Sequence, residues 1–279
     1  MSLDEPGARY LAGLLERATG QQLAENRSWR IDAALGPIIR DRGLDGVTGL
    51  VARLVEGHDP ALQAEVIDQL LNHETFFFRD APVFRQVDVA ALHALHGARA
   101  GSRRLRIWSA GCSTGQEVYS LAMIFAEAEG RWAGWTIDLI GTDVSPSCIR
   151  RAEQGVYSSF EIQRGLPVTQ MIRWFDPDRD DWRVKREIGR RARFSVHNIL
   201  DPAPSGPFDL VFCRNVLLYL TPERRRQAFQ RIAAALAPDG FLVLGAGETV
   251  TGHTDAFAAD PDARGLFRPA AGAARMRAA

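Results

Sequence analysis

Leu105-Arg-Ile-Trp-Ser-Ala-Gly-Cys-Ser-Thr-Gly-Gln-Glu117 is an apolar strand pattern that breaks into a glycine-containing loop and runs on into a helix. Gly111 and Gly115 let the backbone approach a ligand closely before that helix begins. Such a turn also occurs simply to close a βα connection, so its neighbours decide the reading. Thr136-Ile-Asp-Leu-Ile-Gly-Thr-Asp143 repeats the strand signal. Phe194-Ser-Val-His197, Phe208-Asp-Leu-Val-Phe-Cys213 and Phe241-Leu-Val-Leu244 follow, with helices at Pro146–Gln154 and Pro222–Leu236 between them. The alternation predicts an α/β fold on a parallel sheet.

On the N-terminal side the period is helical. Tyr10, Leu11, Leu14 and Leu15 share one face, as do Val47, Leu50, Val51 and Leu54, and Asp59-Pro60 opens a further helix toward Leu71. Gly20, Gly43 and Gly57 mark the breaks. We expect a helical domain over 1–85, a linker helix from Pro82 to about His96, and an α/β domain over 86–270. Residues 160–193 are charged, carry tryptophan and exceed a usual connection, which predicts an inserted subdomain. The alanine-rich stretch 271–279 is expected to be a disordered tail.

Composition excludes several classes. Lysine plus arginine equals aspartate plus glutamate at 34 each, so no global field attracts nucleic acid or an anionic membrane. Apolar runs are short, and Met1-Ser2-Leu3-Asp4-Glu5 lacks a signal-peptide pattern, so a cytoplasmic location without membrane insertion is expected. Cys112, Cys148 and Cys213 have no metal-ligand spacing and read as reduced, buried thiols.

The second strand ends in Asp143, well placed to accept hydrogen bonds from ribose hydroxyls, although an aspartate ahead of Pro146 also serves as a turn or helix cap. The loop lacks both a P-loop ending and the dinucleotide glycine spacing. A cofactor with ribose but no phosphates fits, and S-adenosylmethionine is one. Glu117 adds a carboxylate for its ammonium or sulfonium charge, unless it is an ordinary exposed helix residue.

Four segments, in order, resemble the CheR family of chemoreceptor methyltransferases over nearly the whole chain. They are Glu74-Thr-Phe-Phe-Phe-Arg79-Asp80, Trp108 to Ser120, Gly141-Thr-Asp143, and Phe208 to Tyr219 with its Arg214-Asn215 pair. The resemblance implies a Rossmann-like class I methyltransferase sheet with S-adenosylmethionine as cofactor and S-adenosylhomocysteine as product. It also implies glutamates in the cytoplasmic helical region of chemoreceptors as acceptors. Thr75 and Arg79 would lie at the cofactor and active site, and Gly111, Glu117 and Asp143 would hold the cofactor. Asn198 and Ile199 resemble the adenosine-contacting pair, Arg214 and Asn215 the pair after the fourth strand, and Tyr219 the tyrosine beside the transferred methyl.

The chain departs from the family in places. His73 stands where asparagine is common, with Asn72 displaced by one position. The often basic N-terminal domain here carries nine arginines against thirteen acidic residues in 1–85, leaving Arg27, Arg30, Arg40 and Arg42 as a local group, with Pro37 expected to interrupt their helix. A second basic group, Arg183, Lys185, Arg186, Arg190, Arg191 and Arg193, lies in the insertion and offers a docking surface for an acidic partner. Asp176-Pro-Asp-Arg-Asp-Asp-Trp182 replaces the glycine-containing loop of members that grip a receptor tethering peptide, so independence from that peptide is expected. Two other readings stay open: methylation of another acceptor on the same fold, or a non-catalytic cofactor-binding scaffold. No nucleic-acid partner is expected.

Overall fold

The computed structural model describes residues 5–23 and 28–270. The expected tail at 271–279 therefore lies outside the described residues, as do Arg27 and the side chain of Arg30. Two compact units divide the chain: Met1–Asn72 with Tyr219–Arg224, and His73–Leu218 with Arg225–Ala279.

The smaller unit contains α1 (Glu5–Thr19), α2 (Ser28–Asp41), α3 (Gly46–Val55) and α4 (Pro60–Leu70). The leucines and valines read at helix spacing form its core: Leu11, Leu14, Leu50 and Leu54 are buried with Leu62 and Val66. Pro37 does not interrupt α2, which runs through it. A proline there forfeits one backbone hydrogen bond, but Ile31, Leu35 and Ile38 are all buried on the same helix, and their burial holds it together. Arg42 spans to Asp59 at 3.0 Å and Glu65 at 2.8 Å, so one of the arginines in the local basic group is already paired.

The larger unit begins with helical turns, α5 (Ala81–Gln86), a wider π-helical stretch Val87–Leu92, and α6 (His93–Ala98). This stretch is not a linker. Phe84, Val87, Ala91, Leu92 and Leu95 are buried in the same core as Leu105 and Ile107, which moves the boundary from the expected 85 to 72. Then follow β1 (Arg104–Ala110), α7 (Gln116–Glu127), β2 (Thr136–Asp143), α8 (Pro146–Gln154), β3 (Val156–Ser158), α9 (Ser159–Gln163) and α10 (Val168–Trp174). The chain continues through β4 (Phe175–Asp178), β5 (Asp181–Val184), α11 (Arg186–Gly189), β6 (Ala192–Val196), β7 (Phe208–Cys213), α12 (Pro222–Ala235), β8 (Leu236–Leu244), β9 (Phe257–Ala259) and β10 (Leu266–Pro269).

Seven strands form the main sheet in the order β6-β2-β1-β7-β8-β10-β9, parallel from β6 to β8 and antiparallel at β10 and β9. The expected α/β architecture is therefore present. Its central strand β7 is buried at every position, which is why Phe208-Asp-Leu-Val-Phe-Cys213 reads as an almost unbroken apolar run. All the cysteines are free and buried, as expected.

The insertion is an antiparallel sheet, β3-β5-β4, beginning at Val156 and so slightly earlier than expected. Its aromatic centre is Tyr157 and Phe175, both edge-on to the fully buried Phe77 at 5.1 and 5.4 Å between ring centroids. A Cβ on Gly165 would stand 1.9 Å from the Phe77 carbonyl oxygen, so only glycine lets the insertion pass this closely.

Asp138 ties three strands together: its oxygens accept from Arg104 Nη2 at 2.7 Å on β1 and from Arg193 Nη2 at 2.8 Å on β6. Partial burial alone would raise the Asp138 pKa, but the two guanidiniums outweigh it and hold the carboxyl below the usual range. A folded-state value below the unfolded one gives stability that is complete above about pH 4 and is lost as pH falls through the folded value. Asp138→Asn should lower stability to urea at neutral pH and flatten the acid limb of the stability curve. An unchanged acid limb would show that Asp138 contributes nothing to it.

Candidate functional site

At the carboxyl ends of the parallel strands, where α/β sheets bind ligands, the larger unit gathers most of the expected residues. The loop after β1 turns at Gly111, whose φ is +78°. Its N–H and that of Cys112 both donate to Thr142 O, at 2.7 and 2.9 Å. A Cβ on Gly111 would reach 2.3 Å from Val216 Cγ2, so the loop and the turn after β7 touch at this glycine. Tyr157, from the insertion, donates from its hydroxyl to Thr114 O at 2.6 Å, and burial pushes its phenol pKa up, keeping it a donor.

Asp143 does not cap the helix ahead of Pro146. Ser145 does, accepting from Cys148 N at 3.0 Å. The Asp143 carboxylate accepts from Ser145 N at 2.9 Å, two residues on, which is the turn role, and also from Ser113 N at 2.8 Å, fixing the glycine loop against the end of β2. Its backbone carbonyl takes the His197 N–H at 2.9 Å, which brings the Asn198–Ile199 pair to the same edge. The Asn198 side chain accepts from Leu200 N at 3.0 Å, and Ile199 is buried.

Glu117 is not an ordinary exposed helix residue. Its side chain is 12% exposed, accepts from Ser109 Oγ at 2.8 Å and pairs with Arg214 Nη1 at 3.0 Å. Arg214, 1% exposed at its side chain, also reaches Asp80 Oδ2 and the Arg79 carbonyl, each at 2.7 Å. One buried cation thus joins α7, the end of β7 and the segment that carries Thr75 and Arg79. The Arg79 guanidinium itself donates to Glu74 O at 2.8 Å and lies 5.6 Å from the Phe76 ring. Of the three phenylalanines, Phe77 is core, Phe78 packs on Phe84, and Phe76 is a platform flanked by Arg79 and Arg164.

His73 is engaged as well: its carbonyl accepts from Ser113 Oγ at 2.8 Å and its Nδ1 lies 3.0 Å from Cys148 Sγ. Tyr219 belongs to the smaller unit, where its hydroxyl accepts a hydrogen bond from Asn72 Nδ2 and its carbonyl accepts from Gln22 N at 2.7 Å.

Sequence reasoning missed Glu248. Its carboxylate accepts from the backbone N–H groups of Asn215, Val216 and Leu217 at 2.7 to 3.0 Å. An acidic residue shortly after the carboxyl end of β8 was the available signal.

The site fits S-adenosylmethionine by its donor and acceptor set. Glu117 and Asp143 are carboxylates that each accept from the chain's own groups at this edge, and their charge and acceptor type suit a cationic ligand bearing ribose hydroxyls. Arg214 Nε and Asn215 Oδ1 are buried without a hydrogen-bond partner among the described residues, an arrangement that a polar ligand resolves.

Residues 73–264 match the family described as CheR methyltransferase, SAM binding domain, a stretch that starts where the larger unit starts. The chain is 32% identical over 261 residues to a chemotaxis protein methyltransferase of Vibrio parahaemolyticus, covering 92% of this chain and 94% of that one. It is 35% identical to chemotaxis protein methyltransferase Cher2 of Pseudomonas putida, with coverage of 86% and 89%. With chemotaxis protein methyltransferase 1 of Pseudomonas aeruginosa the identity is 37%, with coverage of 86% and 89%.

Asp143→Asn replaces one acceptor oxygen with an NH2 group that opposes a backbone donor. Affinity for S-adenosylmethionine, measured by calorimetry, should fall about tenfold or more. Wild-type affinity in this variant would remove Asp143 from the site.

Proposed function

Because the chain belongs to the CheR methyltransferase family, we propose that it methylates glutamate side chains in the cytoplasmic helical region of chemoreceptors. It is an S-adenosylmethionine-dependent methyltransferase, and the products of this reaction are glutamyl methyl esters and S-adenosylhomocysteine. The observation that carries the reading is Arg214, which links Glu117 to the Arg79–Asp80 segment through buried contacts.

The bound cofactor supplies an electrophilic methyl group on a positively charged sulfur. A glutamate carboxylate is already ionised near neutral pH, so no side chain has to remove a proton from it. The tasks left to the chain are alignment and electrostatics. Glu117 offsets positive charge at the aminoacyl end of the cofactor, and Asp143 takes the ribose hydroxyls. Thr75, Gly111, Asn198, Ile199, Arg214 and Asn215 complete the cofactor's surroundings.

Arg79 positions the acceptor carboxylate. It has no ion pair among the described residues, so no described carboxylate neutralises its charge. Tight pairing with the attacking oxygen would lower that oxygen's reactivity, so Arg79 acts by orientation. The family resemblance implies that Tyr219 donates a hydrogen bond to the acceptor. Its hydroxyl accepts from Asn72, which leaves its own proton to donate.

Docking draws on the insertion's basic group, narrowed by internal pairing. Arg183 binds Asp178, Arg193 binds Asp138, and Lys185 donates to the carbonyls of Ile172 and Arg173. Arg186 and Arg190, both exposed, and the half-buried Arg191, which donates to the Glu187 carbonyl, carry no ion pair among the described residues and are the cations available to an acidic receptor surface. No tethering peptide is needed.

The test is transfer of a labelled methyl group from S-adenosylmethionine to cytoplasmic receptor fragments with and without a C-terminal tethering peptide. The label should enter both fragments and leave as methanol in mild base. Arg79→Ala should lose most turnover, and Arg186→Glu with Arg190→Glu should raise the receptor KM without changing cofactor affinity. Cofactor binding with no base-labile protein label would refute the assigned acceptor.

A further inference from the structure

Glu248 follows β8, and its carboxylate is ringed by main-chain donors. Oε2 accepts from Asn215 N at 2.7 Å and from Gly245 N at 2.9 Å. Oε1 accepts from Val216 N at 3.0 Å, Leu217 N at 2.8 Å and Leu218 N at 3.3 Å. Successive N–H groups converging on one point form an anion-binding nest. Here the chain fills the nest with its own carboxylate.

The turn held in this way has specific contents. Asn215 sits at φ +59°, a conformation uncommon for a non-glycine residue, and its buried Oδ1 has no partner among the described residues. Val216 meets the glycine loop at Gly111. Arg214, immediately before the turn, carries the buried pair with Glu117. With its lone pairs committed to backbone donors, Glu248 is not a proton acceptor for the reaction.

We propose that Glu248 is a positioning residue for methyl transfer, holding the Asn215–Leu218 turn so that Asn215 faces the cofactor and Val216 seats the Gly111 loop. The proposal rests on the cofactor site assigned above. It predicts that the anion in the nest, and not merely the bulk of the side chain, sets cofactor affinity.

The experiment is a calorimetric titration of S-adenosylhomocysteine into the full chain, wild type, Glu248→Gln and Glu248→Ala, with thermal unfolding of each unliganded protein. Glu248→Gln keeps the shape but sets an NH2 group against N–H donors, so Kd should rise about tenfold or more. In Glu248→Ala, added formate should return an anion to the nest and recover most of the lost affinity, with no such gain in wild type. Glu248→Gln alone keeps the test decisive if Glu248→Ala does not fold. Affinity in Glu248→Gln within about twofold of wild type, or a formate effect equal in wild type and Glu248→Ala, would overturn the proposal. Failure of wild type to bind S-adenosylhomocysteine would overturn the cofactor assignment first, and this inference with it.

Discussion

A buried arginine is tolerable only if its charge is paired and its donors are occupied. Arg214 meets that condition for its charge and its Nη groups by drawing two pieces of chain to itself, Glu117 at the start of α7 and the Arg79 carbonyl with the Asp80 carboxylate, and leaves Nε without a partner among the described residues. It stands directly after β7, the most completely buried strand of the sheet, so its own position is fixed by the core. The glycine loop, the segment before α5 and the turn after β7 are thereby registered to one another. Removing one partner from a buried pair of this kind typically costs about 3–5 kcal/mol, because an uncompensated charge remains. The site is accordingly a property of the folded sheet more than of any single loop.

Around that cation, carboxylates do most of the fixing, and they do it by accepting backbone N–H groups. Asp143 gathers Ser113 and Ser145, and Glu248 gathers the turn from Asn215 to Leu218. A loop held by its main chain can present ligand-facing groups without large apolar side chains, which leaves room for a polar cofactor. The insertion adds a second kind of restraint, edge-on aromatic packing of Tyr157 and Phe175 against Phe77, close to the same loop.

Much of this was legible in the sequence. The βα alternation is visible because parallel strands buried on both faces read as apolar runs, and Asp143 and Glu117 sit where that alternation makes acidic residues informative. The insertion's strands were not legible: Val156–Ser158 and Asp181–Val184 are too short and polar to show a two-residue period. The boundary at 72 was missed because Phe84, Val87 and Leu95 have the same helical period whichever core they join. Arg79 and Tyr219 came through family resemblance, since an arginine after three phenylalanines has no chemistry of its own. Glu248 escaped notice because its position shortly after β8 was the one signal, and its partners are backbone groups, which every residue carries.

With no net charge on the chain, attraction of a charged ligand falls to local arrangements. The buried Arg214–Glu117 pair is proposed to act as one unit in cofactor binding. A double-mutant cycle tests it: S-adenosylhomocysteine affinity of wild type, Glu117→Gln, Arg214→Met and the double variant. If the pair is one unit, the double variant binds about as well as the weaker single variant. Losses that multiply, or a Glu117→Gln protein that binds like wild type, would contradict the account.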